Sequence, residues 1–92
     1  MKYKIKFTKR FKKDLKLAKK QGKDINKLFE IIEKIAEGEV LDPRYKDHSL
    51  NGNYKGIREC HIEPDFLLIY EKFEDILVLS LVRTGPHSIL FE

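Results

Sequence analysis

Ninety-two residues make one domain, taken as 1–92, because two independent cores would need roughly twice that length; at 41% apolar and 11% aromatic the chain can bury a core rather than stay disordered. No apolar run approaches the ~20 residues of a membrane helix, the Lys-studded N-terminus lacks a signal peptide's apolar stretch, and the single Cys60 excludes an intramolecular disulfide or a cysteine-based metal cluster, so a cytoplasmic protein with no membrane partner is expected. The net charge of +4 is lopsided: residues 1–27 carry twelve Lys or Arg against Asp14 and Asp24, residues 28–92 seven against thirteen acids, and such a basic end suits either a polyanion or a solvated helix face.

Residues 3–7 alternate Tyr3, Ile5 and Phe7 with Lys4 and Lys6, the period of two of a strand with one apolar and one basic face. Thr8 then caps a helix whose apolar positions Phe11, Leu15 and Ala18 recur at spacings of four and three, and Gly22 stops it. Asp24 caps a second helix with Ile25, Leu28, Ile32, Ile35 and Ala36 on one side, ended by Gly38. From Val40 onward Pro43, Gly52, Asn53 and Gly56 punctuate an ordered loop that keeps apolar Leu41, Tyr45 and Leu50. Three strand-like runs follow at 57–62, 66–73 and 76–82, the last read as a central strand covered on both faces, with turns at Pro64-Asp65 and Glu74-Asp75. The expected architecture is α+β: strand, helix, helix, then a three-strand antiparallel meander, with both helices on one face of a four-stranded sheet.

His48, His61 and His87 all fall near places where an element stops, as do Asp65 and Arg83, and such places let side chains converge on a cleft without disturbing the core. No histidine pair has helical spacing and no Cys pair exists, so neither a metal site nor a cofactor is expected. Cys60 faces away from His61 on its strand and has no local base. Residues 52–56 match neither a P-loop nor a dinucleotide fingerprint. Metal-free RNA cleavage needs only a base for the 2′-hydroxyl, an acid for the departing 5′ oxygen and positive charge for the pentacoordinate phosphate, roles that suit two histidines and an arginine.

Three ordered segments carry a family resemblance: Tyr45-Lys46-Asp47-His48-Ser49-Leu50-Asn51-Gly52, then Arg58-Glu59-Cys60-His61-Ile62-Glu63-Pro64-Asp65-Phe66, and Arg83-Thr84-Gly85-Pro86-His87 through Phe91. Together with the Lys-rich first helix, they resemble the YafQ-type toxins of the RelE/ParE superfamily of bacterial toxin–antitoxin systems over essentially the whole chain. The resemblance implies a RelE/microbial-RNase-like fold and a ribosome-dependent endoribonuclease, an mRNA interferase that acts on mRNA in the ribosome and is held inactive by a cognate antitoxin protein. It also implies catalytic roles for His48, His61, Asp65 and His87, with His87 as general acid, His48 or His61 taking the 2′ proton, and Asp65 orienting a histidine or acting as the base. By the same resemblance Arg83 binds phosphate and Phe91 is the C-terminal aromatic, while Phe66 stands where the family commonly has Trp and would stack on a base. Lys12 and Lys13 are expected to meet RNA. Arg83 could instead pair with Asp65, and Phe91 could plug the core. Two further functions are weighed: a non-cleaving ParE-like toxin, and a basic RNA-binding module without chemistry.

Overall fold

Thr8 is where the first strand gives way to the first helix, and its hydroxyl accounts for both. In the computed structural model, which describes residues 2–50 and 56–91, β1 spans Lys4–Phe7 and α1 spans Lys9–Lys20. Thr8 Oγ1 accepts the Phe11 N–H at 3.0 Å, satisfying one of the unpaired donors of the first helical turn. The same hydroxyl donates to the Val82 carbonyl at 2.9 Å and ties the cap to the sheet. At the far end Gly22, with φ +73°, lets the Lys23 N–H reach back to the Ala18 carbonyl. Asp24 accepts the Lys27 N–H and caps α2, Ile25–Ala36, which Gly38 closes as Gly22 closes α1.

The sheet has the strand order β1-β5-β4-β3-β2, where β2 is His48–Ser49, β3 Arg58–Glu63, β4 Phe66–Phe73 and β5 Val78–Gly85. β1 lies parallel to β5, and the remaining pairs are antiparallel. The expected four-stranded sheet is therefore corrected to a five-stranded mixed one. Its extra strand, β2, is two residues long, too short to show any alternation, and exists only because His48 and Ser49 find Glu59 and Arg58 as partners. Residues 51–55 of the expected loop, including Gly52 and Asn53, lie outside the described residues.

Boundaries also move. β1 starts at Lys4 and β3 runs one residue later than expected. The run expected to begin at 76 starts at Val78, because residues 74–77 are spent on the turn: Leu77 takes a left-handed φ of +52°, Asp75 accepts the Ile76 N–H, and Ile76 is exposed. It extends to Gly85, where Thr84 pairs with Leu68 and donates its hydroxyl to the Leu67 carbonyl at 2.7 Å.

One face of the sheet carries the main core. Phe11, Leu28, Ile32 and Ile35 of the helices meet Cys60, Ile62, Phe66, Leu68, Tyr70, Leu79 and Leu81 there. The alternate residues of β4, Leu67 and Ile69, point to the opposite face and pack under Leu90 of a short C-terminal helix, α3, His87–Leu90. It is thus β4, buried from Phe66 through Tyr70, and not β5, that is covered on both faces.

Candidate active site

Residues opposite one another on neighbouring strands share a sheet face. The registers place His48 opposite Glu59, Glu59 opposite Ile69 and Ile69 opposite Arg83, one row crossing β2, β3, β4 and β5. With strands ~4.8 Å apart the row is roughly 14 Å long. His61 lies two residues along β3 from Glu59 on the same face, opposite Leu67, which in turn lies opposite Gly85. His87 opens α3 two residues later, and α3 rests on Leu67 and Ile69 through Leu90. His48, His61 and Arg83 thus share by register the sheet face opposite the main core, Arg83 reaching Asp14 of α1 at the sheet edge, while His87 stands exposed at the start of the short helix whose Leu90 packs on that face.

Glu59 stands at the centre of one cluster, only 5% exposed. Its Oε1 is 3.2 Å from His61 Nε2 and 3.7 Å from His48 Nε2, and the two imidazole centroids are 6.5 Å apart. His48 Nδ1 lies 2.6 Å from the Lys46 carbonyl. A carbonyl only accepts, so Nδ1 carries the proton and Nε2 is the atom turned toward Glu59. Glu59 is missing from the set expected from sequence. Its one signal is its position two residues before His61 on a strand, the spacing that puts both on one face.

The loop before β2 is pinned from beneath. Asp47 Oδ1 accepts the Tyr70 hydroxyl at 2.5 Å and Arg58 Nε at 3.3 Å, Asp47 Oδ2 lies 3.3 Å from Arg58 Nη2, and Arg58 Nη1 donates to Ser49 Oγ at 2.9 Å. These bonds hold residues on both sides of His48. Burial, and then the hydrogen bond to Asp47, push the Tyr70 hydroxyl far above its ordinary value. Burial likewise pushes the Cys60 thiol far up, so it stays protonated and offers no nucleophile.

Arg83 pairs with Asp14 of α1, not with Asp65: its Nε donates to Asp14 Oδ2 at 2.8 Å and its Nη2 to Oδ1 at 3.1 Å. Asp65 is exposed in the turn between β3 and β4. Phe66 has no exposed surface and sits in the main core, so the expected stacking of its ring on a base is withdrawn. Phe91 packs against the Leu67, Ile69 and Leu90 cluster, and its ring centroid lies 4.7 Å from that of the exposed His87. It therefore braces α3 while supporting the imidazole. Lys12 and Lys13 are exposed on α1.

A cleft of about 340 Å³ opens beside His61 and is lined by Lys27, Arg44, Tyr45, Lys46 and Glu63 among others. Among the described residues no group of three His, Cys, Asp or Glu side chains is arranged to hold a metal ion. No helix among them is long and apolar enough to cross a membrane.

The family model described as "Bacterial toxin of type II toxin-antitoxin system, YafQ" matches residues 3–92. The mRNA interferase toxin YafQ of Escherichia coli K12 is 41% identical over 88 residues, 95% of this chain and 94% of that protein. Among solved structures, the E. coli DinJ–YafQ toxin–antitoxin complex contains a chain that superposes with a TM-score of 0.89 at 39% identity, covering 100% of each. A metal-bound toxin from Helicobacter pylori superposes with a TM-score of 0.91 at 44% identity, covering 97% of this chain and 99% of that one. The fold is thus shared with these toxins along the full chain, and the protein belongs to the YafQ family of toxins of bacterial type II toxin–antitoxin systems.

Proposed function

We propose that this chain is an endoribonuclease that cuts mRNA on the ribosome, in the cytoplasm, and is held inactive by a cognate antitoxin protein. The observation that carries the reading is the shared sheet face: His48, Glu59 and Arg83 lie in one row, with His61 one pair along and His87 on the helix that covers the same face. The E. coli relative's name as an mRNA interferase toxin, and the DinJ–YafQ complex, support the substrate and the partner.

The step uses side chains alone. His61, oriented by the buried Glu59, takes the proton of a 2′-hydroxyl as its oxygen attacks the adjacent phosphorus. Arg83, braced by Asp14, faces the charge of the pentacoordinate phosphate. His87 gives its proton to O5′ as the P–O5′ bond breaks, leaving a 2′,3′-cyclic phosphate on one fragment and a 5′-hydroxyl on the other. His48 and Asp65 hold the base side: His48 shares Glu59 with His61, and Asp65 lies in the turn that follows β3. Lys12 and Lys13 add long-range attraction for ribosomal RNA.

Mapping mRNA 5′ ends in a translation extract tests this. New ends inside translated regions are expected with the wild type, and none with His87→Ala, which still cosediments with ribosomes. Ends unchanged by the wild type, or cut as well by His87→Ala, would overturn the reading.

A further inference from the structure

We propose that the cleft beside His61 is a subsite for a backbone phosphate of the mRNA, next to the bond that is cut; this rests on the nuclease reading above. Three cations from two separate elements converge there: Lys27 from α2, and Arg44 and Lys46 from the 3₁₀ turn at Pro43–Tyr45 and the residue after it. The Tyr45 ring holds two of them together, with Lys27 Nζ 5.9 Å and Arg44 Cζ 5.0 Å from its centroid. The negative face of an aromatic ring offsets part of the repulsion between like charges, which leaves both heads available to an anion.

Two of these cations occupy places that local energetics disfavour. Lys27 lies in the first turn of α2, at the positive end of the helix dipole, a position that disfavours an ammonium even though the capping Asp24 carboxylate stands there and accepts the Lys27 N–H. Lys46 takes a left-handed φ of +49°, a conformation that favours Gly or Asn, while its carbonyl accepts His48 Nδ1. Residues 28–92 hold only seven Lys or Arg, and two of them stand here. The carboxylates nearby are Glu63, which lines the cleft; Glu59, held behind it against His61; Asp24, which accepts the Lys27 N–H; and Asp42, 3.9 Å from Arg44 across a largely exposed pair that solvent screens. The volume of about 340 Å³ is within the range of small-ligand sites and suits one nucleotide unit. His61 lines the same cleft, so a strand placed for proton transfer at His61 continues directly onto these cations. Guanidinium and ammonium groups are the ordinary recognition chemistry for its phosphates.

The test compares Arg44→Gln/Lys46→Gln with the wild type on ribosomes programmed with one mRNA, measuring kcat and KM across a KCl series. Both positions are exposed, so the fold tolerates the change. The expected result is a KM raised about tenfold with kcat within about twofold, and a salt dependence of kcat/KM that is shallower by about one to two in log–log slope. An unchanged KM and slope, with wild-type cleavage intact, overturns the subsite and leaves the nuclease reading standing. Absence of cleavage by the wild type overturns the nuclease reading itself. A parallel arm uses ribosomes without mRNA: equal cosedimentation of variant and wild type supports the mRNA phosphate as the ligand, whereas an equal loss there assigns the cations to ribosomal RNA and overturns the proposal.

Discussion

Glu59 is a carboxylate with almost no exposed surface, set between two imidazoles. Removing such a group from water is unfavourable unless it gains partners, so its presence requires an explanation beyond packing. Orientation supplies one, since a single oxygen within reach of both Nε2 atoms fixes the ring planes relative to the sheet. Glu59→Gln keeps the volume and an acceptor oxygen but discards the charge. Cleavage by this variant is expected to slow at least tenfold, a loss of about 1.4 kcal/mol of transition-state stabilisation, while thermal stability holds or rises because a buried charge has been removed. Single-turnover cleavage beside a melting curve checks both halves, and an unchanged rate would reduce Glu59 to scaffold. Phe66 shows the reverse case. Its place after Asp65 in the third-strand motif suggested a binding role, yet the alternation of β4 turns it into the core, and neighbouring positions in sequence do not report which face wins.

At the scale of elements, the junction of α1 with β5 decides where Arg83 stands. β1 pairs with only Val78 to Leu81, whereas β5 runs on to Gly85, so the edge from Val82 to Thr84 lacks a strand neighbour on that side. Side chains of the helix stand in for one. Thr8 Oγ1 donates to the Val82 carbonyl, and Asp14 Oδ2 accepts the Thr84 N–H at 3.1 Å as well as Arg83 Nε. The register also shifts between Ile69 and Tyr70, passing over Val82, so that Arg83 faces Ile69. Asp14→Asn retains an acceptor for the Thr84 N–H and releases the guanidinium. We expect a stability loss of about 2 kcal/mol and a drop in kcat larger than any change in KM. Denaturant unfolding together with cleavage kinetics measures this, and unchanged values for both would mean that desolvation offsets the ion pair in full.

Across the whole molecule, the charge asymmetry of the chain becomes a spatial one, with the Lys-rich α1 lying at the β5 side of the sheet and Arg83 joined to it through Asp14. Lys12→Glu/Lys13→Glu should weaken ribosome association and flatten its salt dependence by about two in log–log slope, read by cosedimentation over a KCl series; identical binding would make these lysines solvating only. Much of this molecule is legible one segment at a time. Thr8 and Asp24 as caps, Gly22 and Gly38 as stops, and the spacing of Phe11, Leu15 and Ala18 all act within about one turn of chain, so they express themselves before any tertiary contact exists. The residues His48, His61, Asp65, Arg83 and His87 are likewise visible as a motif. What folding alone decided involves partners far apart: β2 needs the edge of β3, α3 needs Leu67 and Ile69 beneath it, and Arg83 meets Asp14 across 69 positions. The cluster around Glu59 belongs with these, because a carboxylate in a strand becomes a centre only when pairing brings a second histidine to it. Local order is written in short-range geometry, whereas a site is a matter of register and of which face each element turns inward.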